Sequence, residues 1–78
     1  MDSVEYEGFL LIPKTYQLTE GQRWALAVHI MRHDEVRPFS ARNTFPTREE
    51  AIRASIQFGR DIIDGKVASI SSLDLPGR

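Results

Sequence analysis

Residues 47–65 form the one stretch with helical spacing; the segments before it alternate in the manner of strands. Thr47 is a favoured N-cap, and Glu50 three residues on completes the pattern of a capping box. At 100° per residue, Ala51, Ser55, Gly59 and Ile62 share one arc with Ile52, Ile56 and Ile63, while the charged residues fill the opposite arc. Gly65 suits the position just past the helix end. Ala51, Ser55 and Gly59 recur every fourth position and predict a groove of small side chains. A mid-helix glycine costs about 1 kcal/mol relative to alanine, so a close backbone approach is the expected reason for Gly59. One helix covers one face of a sheet, and that limit governs everything the strands can do.

Three strand segments are expected. Residues 6–16 are rich in aromatic and branched side chains, with Pro13 marking an edge or a bend. Residues 22–32 alternate most clearly: Trp24, Leu26, Val28 and Ile30 on one face, Arg23, Ala25, Ala27, His29 and Met31 on the other. Residues 37–45 place Phe39 and Phe45 on one face and Ser40, Arg42 and Thr44 on the other. The fold class is α+β: a three-stranded antiparallel meander with one C-terminal amphipathic helix packed on it. Residues 66–70 are the candidate for a short fourth strand. Trp24, Phe39 and Phe45 are the expected aromatic fillers. Residues 1–70 form the single domain, and 71–78, with Pro76-Gly77, read as a flexible tail.

Composition narrows the class. At 78 residues the chain is one domain, and 41% apolar with 27% charged residues is the balance of a folded protein rather than a disordered one. No cysteine is present, so neither disulfides nor thiolate metal sites contribute. The longest apolar runs, 9–12 and 24–28, are far short of the ~20 residues that span a bilayer. The acidic N-terminal segment lacks the pattern of a secretion signal, and a cytoplasmic protein without membrane attachment is expected. Residues 1–20 carry net −3 and residues 21–48 net +3, the latter through five arginines and no lysine.

No nucleophile elbow and no glycine-rich phosphate loop is present, so no catalytic residue, metal ligand or cofactor is assigned and a non-enzymatic protein is expected. His29 and His33 lie on and just beyond a strand, where the i,i+4 spacing does not converge them as a helix would. The consecutive apolar residues Phe9, Leu10, Leu11 and Ile12 present apolar surface to both faces of the sheet. The face away from the helix must be wet, covered by the C-terminal segment around Val67, Ile70 and Leu73, or covered by a partner. Arg23, His29, Met31 and Arg42 are the candidate interaction residues on it. The leading expectation is an interaction module, self-associating or binding another protein. The alternative is nucleic-acid binding through Arg23, Arg32, Arg37 and Arg42, a charge excess modest for that role.

The order Tyr6…Gly8, Trp24-led strand, Phe39…Phe45-x-Thr47-x-x-Glu50-Ala51 and Gly59…Ile63-Asp64-Gly65 resembles small proteobacterial β-β-β-α proteins, some of them prophage-encoded. That resemblance implies a fold, and a phage-assembly role among its associations. The strands leading into a Thr-x-x-Glu-Ala helix are also similar to the partial ribonuclease-H-like domain of HicB-type antitoxins, which implies a regulatory role.

Overall fold

The computed structural model describes residues 2–77 as a four-stranded antiparallel sheet with one long helix on one face. In chain order the elements are β1 (Val4–Tyr6), β2 (Phe9–Pro13), β3 (Trp24–Arg32), β4 (Glu35–Phe45), α1 (Arg48–Ile63) and a 3-10 turn (Ser72–Asp74). Strand order in space follows strand order in sequence. The α+β class, antiparallel sheet and covering helix are as expected, but the fourth strand lies at the N-terminal side. Residues 6–16 split because Glu7 and Gly8 both take positive φ (52° and 84°), the left-handed backbone of a two-residue hairpin turn. Residues 66–70 form no strand.

The β2–β3 ladder extends past its regular part. Lys14 N–H donates to Ala27 O at 3.0 Å, Ala25 N–H to Tyr16 O at 2.8 Å, and Leu18 N–H to Arg23 O at 2.7 Å, all in the register of Leu10 opposite Met31. These bonds fix the phase of the sheet. The Ala25 N–H, the Ala27 carbonyl and the polar backbone groups of His29 and Met31 point to the β2 side, and those of Val28 and Ile30 to β4. Pro38 stands opposite His29. Its missing N–H would therefore face outward from the free edge of β4, where no ladder bond is lost. Between Ala25 and Leu26 the β3–β4 register shifts by two residues, leaving Arg42 and Asn43 as a bulge.

The core lies between sheet and helix. Phe9, Leu11, Val28 and Ile30 pack against Ile62 of α1, with Tyr6, Phe39, Ile56, Phe58 and Ile63 around them. Phe9 is the buried aromatic filler; Trp24 and Phe45 pair across the last rung and are half-buried. The small-residue groove is real: Ala51, Ser55 and Gly59 are all buried. A Cβ on Gly59 would stand 3.0 Å from a methyl of Leu11 and 3.4 Å from one of Val28, the close approach that explains the glycine. Ser55 uses the same proximity differently. Its fully buried hydroxyl accepts from Ala27 N–H at 3.2 Å, so the helix completes a hydrogen bond of the central strand.

Thr47 Oγ1 accepts from Glu50 N–H at 3.2 Å, the forward half of the expected capping box. The return bond, from Thr47 N–H to the Glu50 carboxylate, is absent among the described residues. A complete box occurs instead at Ser71, whose hydroxyl accepts from Leu73 N–H while its own N–H donates to Asp74. That turn belongs to the segment expected to be a flexible tail. Through residue 77 it is packed: Leu75 and Pro76 are buried, and Gly77 N–H donates to Glu35 Oε1 at 2.7 Å. The physical reason is that the segment packs on the Arg32–Glu35 corner of the sheet, where the Arg32 guanidinium lies 4.9 Å from the Phe9 ring centroid and Leu75 joins the core.

Candidate interaction face

Parity along each strand separates two surfaces. Phe9, Leu11, Val28, Ile30 and Phe39 face the helix, so their neighbours face away. Directly opposed pairs share a face, and the open surface is therefore built in rows across the sheet. One row runs Val36, Met31, Leu10 and Glu5; the next Pro38, His29 and Ile12; then Ser40 and Ala27; then Thr44 and Ala25. Lys14 and Tyr16 extend the β2 side of the last two rows through their bonds to Ala27 and Ala25. Val67, Ile70 and Leu75 pack on the helix side, and Leu73 is 70% exposed. The C-terminal segment thus leaves this face uncovered.

The centre of the face is apolar. Leu10, Ile12, His29 and Met31 are half-buried by one another, while Val36 and Tyr16 at its flanks are 42% and 56% exposed. Along β3 the open-face side chains change in size: alanine at 25 and 27, then histidine and methionine at 29 and 31. The alanines are nearly covered by their neighbours, so that half of the strand lies at the bottom of a shallow trough.

Of the four candidate residues, the structure brings His29 and Met31 together and spreads the others. Arg23 sits eight strand positions from Met31, about 26 Å away at 3.3 Å per residue. It is tied to Thr44, donating from Nε to Oγ1 at 2.7 Å and from Nη2 to the carbonyl at 2.9 Å. Arg42 falls in the bulge and is exposed. Leu10 and Ile12, whose sequence marks them only as part of a two-faced apolar run, form the face's second strand. Val36, Pro38 and Tyr16 were not singled out by sequence, although the alternation Val36-Arg37-Pro38 carries the signal.

The arginines do not form one surface. Arg32 stacks on Phe9 at the helix side, and Arg37, opposite Ile30, pairs with Glu35 at 3.0 Å. Glu35 is held below the ordinary glutamate range by the Gly77 N–H and, next, by Arg37. At the other margin Tyr6 donates its hydroxyl to Asp64 (2.7 and 2.9 Å), which holds the phenol above its ordinary range. Among the described residues there is no cavity that would enclose a small molecule and no cluster of three metal-ligating side chains. His29 lies within the sheet and His33 in the β3–β4 turn. Among the described residues no helix is long and apolar enough to cross a membrane.

No protein-family model, curated protein or solved structure matches this chain.

Proposed function

We propose that this chain is a non-enzymatic protein-interaction module whose working surface is the open face of the sheet. The observation that supports the reading is the row of Leu10, Met31 and Val36 beside Ile12, apolar and on the side that neither α1 nor the C-terminal segment covers. Contiguous apolar surface of this kind is the usual mark of a contact site. A protein partner is favoured over nucleic acid because the arginines are dispersed: Arg32 and Arg37 belong to the helix side, and Arg23 and Arg42 to one end.

A photo-reactive phenylalanine derivative at position 29, introduced in the cells that make the chain, tests this. Light should give an adduct of discrete mass that excess wild-type chain competes away and a folded Met31→Lys/Val36→Lys variant does not. The same group at Gln57, on the exposed side of α1, should give none. Equal labelling from both positions, or none from position 29, refutes the reading.

A further inference from the structure

Resting on that reading, we infer that the occupant of the open face is a second copy of this chain, related by a two-fold axis perpendicular to the strands. The axis passes between Ala27 and His29. Met31 of one copy then lies over Ala25 of the other, and His29 over Ala27.

Shape selects this arrangement. Rotation about an axis across the strands reverses strand direction, so the bulky half of β3 meets the alanine half of its copy and each fills the other's trough. An axis along the strands would set Met31 against Met31 and leave a void between the alanines, forfeiting contacts at both ends. Charge selects it too. On the open face Glu5 lies at the bulky end, while Lys14, Arg23 and Arg42 lie at the alanine end. The reversed arrangement faces the acidic end with the basic end; the alternative opposes like with like. The face is also self-complementary in the sense that closed two-fold dimers require.

The contact is small. Three strands about 4.8 Å apart over about 26 Å give roughly 370 Å² per copy, below the ~800 Å² per partner of a standard specific interface, so weak, transient association is expected.

The absence of native cysteine makes the test clean. Val36 and Thr44 lie on the open face, opposite Met31 and Ala25 respectively. In the inferred dimer Val36 of one copy stands over Thr44 of the other, roughly one sheet spacing (about 10 Å) away, whereas two Val36 residues are displaced by about 20 Å along the strands. Val36→Cys and Thr44→Cys proteins, each checked for native melting, are mixed at ~0.5 mM with a bis-maleimide whose arm is about 10 Å long. The mixture should give at least fivefold more covalent dimer than either protein alone. Val36→Cys alone linking as well as the mixture would overturn the axis, and no dimer in any tube would overturn self-association. In that last case a position-29 photo-adduct of non-dimer mass keeps the interaction module with another partner, and no adduct removes both readings.

Discussion

Ser55→Ala separates a helix residue's packing from its hydrogen bond. The hydroxyl is fully buried and accepts from the Ala27 N–H at 3.2 Å. Alanine fits the same groove, as Ala51 does one turn earlier, so overpacking is not introduced. What changes is that a buried strand amide loses its acceptor, which costs ~1–3 kcal/mol. Alanine's better helix propensity returns roughly 0.5 kcal/mol. The balance is a loss of roughly 0.5–2.5 kcal/mol. For a chain this small the urea dependence is about 1 kcal/mol per molar, so the midpoint should fall by about 0.5–2.5 M with unchanged slope. Ala27 should in parallel lose amide-exchange protection out of proportion to Val28. A midpoint equal to or above wild type, with Ala27 protection unaltered, would refute the claim that α1 supplies part of the sheet's hydrogen bonding.

Thr47→Ala removes the acceptor for Glu50 N–H and should cost ~1 kcal/mol in chemical denaturation, leaving any open-face contact unchanged. Gly77→Ala should release the C-terminal clasp, because a Cβ there would stand 2.8 Å from Arg32 Cγ on a backbone with φ 79°; exposure of Leu75 to exchange or proteolysis reads the effect. Acid should do the same. Glu35's folded value lies below its unfolded one, so its contribution is present above the ordinary glutamate range and is lost as pH falls through the lowered folded value. Glu35→Gln should flatten that dependence, measured as the chemical shift of the Gly77 amide against pH. Asp34→Gly in the β3–β4 turn, where Asp34 holds φ 66°, should stabilise the hairpin by several tenths of a kcal/mol, read as a higher melting temperature.

How much of this was legible depended on the range over which each cause acts. The helix was legible from Thr47 to Gly65 because periodicity, cap and groove are local, and Gly59 announced its close approach by its cost. The β1–β2 turn was local too, but Glu7 in a left-handed conformation is an uncommon choice and hid the break between two short strands. The packed C-terminal segment was not legible. Leu75 and Pro76 are buried among elements far away in sequence, although Ser71-x-x-Asp74 did encode the turn that aims them. For the candidate face, parity placed Ala25, Ala27, His29 and Met31 together correctly. Parity gives a side and not a position, however, so it grouped Arg23 with Met31 across the length of a strand. It also could not see the bulge that takes Arg42 out of register.

The sequential strand order bears on how the chain reaches this structure. Each ladder joins neighbours in the chain, two of the three through two-residue turns, and α1 follows β4 after a short link. Loop-closure entropy is small at every one of these steps, which favours rapid folding for a β-rich domain. Longer closures are the bonds from Tyr6 to Asp64, 58 residues apart, and from Gly77 to Glu35, 42 residues apart. The Gly77 bond is held by a segment outside the sheet and α1, so it should form after they are in place and open before they do, giving a state with residues 71–77 released while the sheet remains intact.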